Sequence, residues 1–239
     1  MTETQLLQRI TNNCIAVRQR VKNACARVSR APHTVRLVAV SKTFPLTHVQ
    51  AAHAAGLTDL GENRVQEALE KISELRDRQN ITWHLIGHLQ SNKAVKVINS
   101  IAWIHSVDSV ELLNRLERLA SIHNCQPNVL VQVNLANEVS KNGASVETCR
   151  KILEASLNCQ QVIVKGLMTI PPWSKEPEHA RRYFRDLRLF RDELVAAGIP
   201  SSLLHELSMG MSNDFEVAIE EGSTIVRVGT AIFGTRTAL

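Results

Sequence analysis

Eight short apolar runs, each followed by a stretch of helical character, constrain this chain more than any other feature. The runs lie at 36–41, 57–61, 82–87, 101–107, 128–135, 162–170, 203–208 and 224–229. They are rich in β-branched residues and have the length of buried strands. Between them stand segments with helical period, such as 64-RVQEALEKISELR-76, 109-SVELLNRLERLASIHN-124, 145-SVETCRKILEASLN-158 and 179-HARRYFRDLRLFRDELVAAG-198. Ser109 and Ser145 suit helix N-caps and Gly198 a C-cap. Strands alternating with helices build parallel βαβ units buried on both faces. With right-handed crossovers, eight such units close into a TIM-type (β/α)8 barrel. An open doubly wound sheet is the competitor. The count of eight favours the barrel, and so does the lack of a glycine-rich dinucleotide turn after the first strand. We expect one domain over 1–239, with a leading helix at about 3–29 and a barrel at about 35–235. The chain stops ten residues after the eighth run, short of a full last helix. The leading helix is expected to cover the surface that helix would have covered.

Composition narrows the function classes. At 239 residues and 44% hydrophobic content the chain has material for a full core. Its net charge of +5 favours anionic ligands but is a weak argument for nucleic acid, and nine aromatic residues make a poor base-stacking platform. No apolar run approaches the ~18 residues of a membrane span. The N-terminus, MTETQLLQRITNN, carries no apolar signal core. The five cysteines, with no CxxC pair, read as free thiols of a reducing, cytoplasmic compartment.

Barrel chemistry gathers at the C-terminal ends of the strands. The first strand delivers Lys42 there, and period 2 puts it on the side of Val38 and Val40. It is either an ordinary surface lysine or an amine directed into the barrel mouth, able to attack carbonyls once desolvated. The seventh strand delivers 206-ELSMGMSND-214, whose Ser208, Gly210 and Ser212 precede a helix starting near Asp214. Hydroxyls and glycine at such a turn make either a capped turn or an anion cradle. The eighth strand delivers Gly229 and Thr230, with Arg227 on the same face as Gly229. An arginine inside a barrel needs acceptors: an internal partner such as Glu206, or a ligand atom. Residues 229–235 look superficially like a Walker loop, but the Gly-Lys-[Ser/Thr] ending is missing and Arg236 follows. His84 and His88 invite a zinc reading, but no HExxH pattern is present, and local hydrogen bonding is the better use. The polar stretch 134–143 is expected to be a well-bonded loop.

Seven segments in order, AVSKT at 39–43, GEN at 61–63, HLIGHLQSNK at 84–93, QVNLANEVSKNG at 132–143, GLMTIP at 166–171, SMGMSND at 208–214 and VRVGTAIFG at 226–234, resemble the YggS/PROSC family of pyridoxal phosphate homeostasis proteins. That resemblance implies a fold-type III barrel like the alanine racemase N-terminal domain, binding pyridoxal 5′-phosphate (PLP, the vitamin B6 cofactor). It implies an aldimine on Lys42, with Asn63 beside the ring. Ser208, Gly210, Met211, Ser212, Gly229 and Thr230 would lie around the phosphate, and Arg227 would donate to the pyridine nitrogen. His88 departs from the family's usual proline and Asn213 occupies a variable slot; both are expected to lie away from the ligand. The implied role is a PLP carrier, expected to be monomeric, passing cofactor to apo-enzymes, with neither nucleic acid nor membrane as partner. A PLP-dependent racemase is the alternative. It needs a second acid/base group, and the only tyrosine, Tyr183, falls in an outer helix while the racemases' C-terminal domain is missing.

Overall fold

The computed structural model describes residues 2–77, 80–136 and 142–235. Part of the 134–143 loop, Lys141 included, and Arg236 lie outside the described residues. Eight parallel strands close on themselves in sequence order, β1 pairing with β8. They are β1 Arg36–Val40, β2 Asp59–Glu62, β3 Thr82–Leu85, β4 Trp103–Val107, β5 Asn128–Gln132, β6 Ile163–Met168, β7 Glu206–Met211 and β8 Ile225–Val228. The barrel is therefore closed, and the open-sheet alternative is set aside. Helices α2 Leu46–Ala54, α3 Val65–Glu74, α4 Ala94–Val97, α5 Val110–His123, α6 Val146–Ser156, α7 Arg181–Ala196 and α8 Phe215–Glu220 follow the first seven strands. A single turn, α9 Thr230–Phe233, follows the eighth.

Local chemistry accounts for the element ends. The hydroxyls of Ser109 and Ser145 accept the backbone N–H of Leu112 and Thr148 at 3.1 Å each, the expected N-caps. At the end of α7, Gly198 takes a φ of +98°. It lies one residue past the cap, where the N–H groups of Gly198 and Ile199 bond the carbonyls of Val195 and Leu194, a Schellman closure. Strand β7 starts three residues later than its apolar run suggested. Ser201–Leu203 forms a 3₁₀ turn instead, because pairing with β6 begins only where Glu206 meets Gly166.

The leading helix α1, Glu3–Arg27, opens on a capping box between Thr2 and Gln5. Leu6, Ile10, Cys14, Val17, Val21 and Ala24 recur every three or four residues and are buried along one face. That face packs on α2, α8 and α9. Asn13 Nδ2 donates to the Ile232 carbonyl at 2.8 Å, and Arg20 and Arg27 pair with Glu216 and Glu220 of α8. Helix α1 thus occupies the place of a full eighth helix.

The barrel interior is unusual. Val38, Trp103, Leu130, Met168 and Ile225 form an apolar cluster there. Beside them four polar side chains, His84, His105, Ser208 and Arg227, are buried. Barrel interiors are usually filled by Val, Ile and Leu.

Candidate functional site

The end of β1 is fixed by a buried charge cluster. Lys71 Nζ of α3 donates to the Ser41 carbonyl (2.9 Å), Glu62 Oε1 (2.8 Å) and Glu67 Oε1 (2.7 Å). Ser41 Oγ donates to Glu62 Oε1 at 2.5 Å, and the Thr43 N–H donates to Glu67. Thr43 sits at φ +68°, the left-handed region that a threonine rarely adopts. These bonds hold the 41–43 turn in that conformation and so set the direction from which Lys42 enters the barrel mouth. Burial raises the Glu62 carboxyl against the opposing pull of Lys71 and Ser41.

Lys42 lines a cavity of about 280 Å³ at the C-terminal end of the barrel. That is near the lower end of ligand-pocket volumes, about 300 Å³, and suits a single-ring ligand. Asn63, Met211, Ser212, Arg227, Gly229 and Thr230 line it too. Gly87 makes room for Asn63, since a Cβ there would stand 2.1 Å from the Asn63 carbonyl and 2.8 Å from its Cγ.

Two expected residues fall elsewhere. Ser208 is fully buried within the barrel, where its hydroxyl meets His105 Nδ1 (2.9 Å) and Arg227 Nη1 (2.6 Å). It lies among the interior side chains rather than on the cavity lining. Gly210, at φ +94°, serves the turn into α8: a Cβ there would approach Ala218 Cβ to 2.6 Å and Phe215 Cα to 2.9 Å. Asn213, expected to lie away from the ligand, lines the cavity and ties two rim loops together by donating to the Ser174 carbonyl at 3.0 Å. From the loop after β6, Ile170 and Trp173 join the lining, Trp173 being 75% exposed. Ile170 belongs to the GLMTIP segment, the one sequence signal that could have pointed there. The two histidines of the zinc reading diverge. His84 lies inside the barrel and bonds His105 and Asp59, whereas His88 pairs with Asp108 at 3.3 Å.

The cavity offers an anion three kinds of donor. Arg227 is buried, and among the described residues its hydrogen bonds go to Ser208 Oγ and the Thr169 carbonyl, not to a carboxylate. The alternative partner Glu206 accepts instead from Thr224 Oγ1 at 2.5 Å. Burial pulls the Arg227 guanidinium down to about 10, with Asp214 opposing, so it stays charged at neutral pH. The backbone N–H groups of Gly229 and Ala231 both point at Ser212 Oγ, at 3.1 and 3.2 Å. The hydroxyl oxygen therefore sits where two amides converge, with its own proton left to donate. The carboxylate in the lining, Asp214, stands just before α8 and accepts the Met211 N–H at 2.6 Å. Burial raises its carboxyl, with Met211 and Arg227 pulling back. An amine, a buried cation and a convergent pair of amides fit a ligand with a carbonyl, a ring acceptor and an anionic tail.

Comparison with known proteins agrees with that chemistry. The family model of the alanine racemase N-terminal domain matches residues 8–237. The pyridoxal phosphate homeostasis protein of Aquifex aeolicus is 43% identical over 220 residues, 92% of this chain and 95% of that one. The Pseudomonas aeruginosa protein of the same name is 41% identical over 227 residues, 95% of this chain and 96% of its own. Among solved structures, PipY of Synechococcus elongatus with PLP bound superposes with a TM-score of 0.83 at 40% identity, covering 94% of this chain and all of PipY. Clostridium difficile alanine racemase shares the fold alone, with a TM-score of 0.72 and 15% identity over 98% of this chain and 60% of that one. On the family match and these identities over almost the full length, the chain belongs to the pyridoxal phosphate homeostasis protein family, whose barrel is that of the alanine racemase N-terminal domain.

Proposed function

We propose that this chain binds PLP in the cavity at the barrel mouth, holds it as a Schiff base on Lys42 and serves as a cofactor carrier rather than an enzyme. The observation that carries this reading is the buried Arg227 lining the same cavity as Lys42 and, among the described residues, bonded to Ser208 Oγ and the Thr169 carbonyl rather than to a carboxylate. A desolvated cation so placed calls for an acceptor from a ligand. Lys42 would hold the cofactor through its aldehyde, the amine replacing the carbonyl oxygen, which would leave as water. Ser212, with the N–H groups of Gly229 and Ala231 and the Thr230 hydroxyl, takes the phosphate. Met211 and Asn63 flank the ring.

The bound group supplies electron-withdrawing chemistry only as far as its pyridine nitrogen is protonated. An arginine, a donor that keeps its own proton, leaves that nitrogen unprotonated and weakens the sink. Racemisation also needs an acid/base group on each face of the substrate. Among the described residues the ionisable groups of the lining are Lys42, Asp214 and Arg227, and the Asp214 carboxylate is engaged by the Met211 N–H. Tyr183 lies on α7, bonded to Arg182, and is not part of the lining. These features support storage and delivery to apo-enzymes over turnover.

The test is borohydride reduction of the PLP-loaded protein followed by peptide mass mapping. The pyridoxyl group is expected on Lys42, and a label on Lys93 or Lys141 would refute the site. Incubation with L-alanine in deuterated water is expected to give no racemisation approaching about 1 s⁻¹, the low end of ordinary enzyme rates.

A further inference from the structure

A chain of side-chain hydrogen bonds crosses the barrel interior beneath the cavity. Arg227 Nη1 meets Ser208 Oγ at 2.6 Å, and Ser208 Oγ meets His105 Nδ1 at 2.9 Å. His105 Nε2 meets His84 Nδ1 at 3.0 Å, and His84 Nε2 meets Asp59 Oδ1 at 3.0 Å. The residues come from β8, β7, β4, β3 and β2. Strands β4 and β7 are not neighbours in the barrel, so the His105–Ser208 bond spans its interior. At the far end Arg36 of β1 pairs with Asp59 at 3.3 Å and lies over the Trp103 ring, which stacks on His84.

One arrangement of protons satisfies every link with neutral histidines. Arg227 can only donate, so Ser208 accepts from it and donates its own proton to His105 Nδ1. His105 then carries its proton on Nε2 and gives it to His84 Nδ1, and His84 gives its Nε2 proton to the Asp59 carboxylate. The reverse polarity would face a bare His84 nitrogen to the carboxylate and give Ser208 two donors at once. Burial holds His84 and His105 below the usual histidine range, so both stay neutral at pH 7. Burial raises the Asp59 carboxyl, but the hydrogen bond from His84 and the charge of Arg36 outweigh it and keep it ionised.

We propose that Asp59, His84 and His105 are positioning residues that hold Arg227 as the donor into the cavity, the Asp59 carboxylate fixing the direction of the whole chain. Because the Ser208 proton is committed to His105, its lone pair is fixed toward Arg227. With the Thr169 carbonyl, which accepts from Nη2 at 2.9 Å, it leaves the remaining guanidinium N–H groups for a ligand. This rests on the assignment of Arg227 to the pyridine nitrogen. It adds that the aim of the donor is set from the opposite end of the barrel.

Two measurements test it. In the protein without ligand, long-range ¹H–¹⁵N NMR is expected to show both histidines as neutral Nε2–H tautomers between pH 8 and 6. An Nδ1–H tautomer or an imidazolium at either residue in that range overturns the chain. In the protein loaded with ¹⁵N-labelled PLP, Asp59→Asn is expected to move the pyridine ¹⁵N signal and weaken PLP binding about threefold to tenfold, the scale of one ordinary hydrogen bond. Asp59→Glu is expected to restore the signal. Leu130→Ala, an interior change outside the chain, is expected to lower stability without moving it. An unmoved pyridine signal in Asp59→Asn overturns the positioning role and leaves the cofactor assignment standing. If the unaltered protein shows no bound pyridine signal, the cofactor assignment fails and this proposal with it.

Discussion

Replacing Arg227 by methionine separates the functional reading from a structural one. Burial lowers the guanidinium from the ordinary arginine range to about 10, which at about 1.4 kcal/mol per tenfold is a cost of about 3 kcal/mol for keeping the charge inside the barrel. Against it stand two charge-assisted bonds, to Ser208 Oγ and the Thr169 carbonyl, each worth about 1.5 kcal/mol at the lower end of their range. Removing the charge and its bonds together therefore nearly cancels. Methionine also fills part of the vacated volume with a flexible apolar chain. The expected result is a protein whose unfolding free energy changes by no more than about 1.5 kcal/mol. Its affinity for PLP falls by about 10- to 100-fold, the loss of one charge-assisted ligand bond. Urea denaturation of the ligand-free protein reads the first quantity, and titration of the Schiff-base absorption band reads the second. A variant that loses more than about 4 kcal/mol of stability while binding PLP as before would refute the argument. Arg227 would then be a strut of the barrel, and its lack of a carboxylate partner would say nothing about a ligand.

Three further outcomes follow from particular contacts. Gly87→Ala is expected to cost about 1–3 kcal/mol and to weaken PLP binding together with stability, because the new Cβ would stand 2.1 Å from the Asn63 carbonyl; a neutral effect in calorimetry and titration would contradict the tight contact. Lys71→Met is expected to cost about 3–5 kcal/mol in urea denaturation by stranding the buried Glu62, while Glu62→Leu combined with Lys71→Met recovers much of it; additive losses in that cycle would refute the buried pairing. Acidification is expected to destabilise the protein through His84 and His105: the unfolded chain takes up protons below about 6.5 while the folded histidines, held low by burial, do not, so stability falls as pH drops through that value. Glu62, Asp108 and Asp214, raised by burial, act in the opposite sense, so the readout is the difference between the unaltered chain and His105→Gln. The variant is expected to show the flatter stability profile between pH 7.5 and 5.5, and equal slopes would refute the histidine contribution.

The sequence by itself determined the number and order of the βα units. Hydrophobic period and capping are local properties, and Ser109, Ser145 and Gly198 act within a turn of where they stand. It also determined that Lys42, Ser212, Gly229 and Thr230 come to one end of the barrel, because every strand of a closed parallel barrel delivers its C-terminal residues to the same face. Only the tertiary structure decided what happens across the interior. Period 2 says that a residue points inward, not which residue it meets there. His84 and His105, 21 positions apart, touch because β3 and β4 are neighbours, whereas His105 reaches Ser208, 103 positions away, across the barrel. That contact moves Ser208 from the expected phosphate loop into the interior. Asn213 changes role in the opposite direction, since the loops after β6 and β7 close over the mouth together and bring its amide to the Ser174 carbonyl. The Glu62–Lys71 pair that fixes the Lys42 turn was equally hidden: a lysine in the middle of an amphipathic helix reads as solvated until the strand it packs on presents a carboxylate. Contacts of this kind depend on barrel closure and on how far each side chain reaches, and neither quantity is contained in a local stretch of sequence.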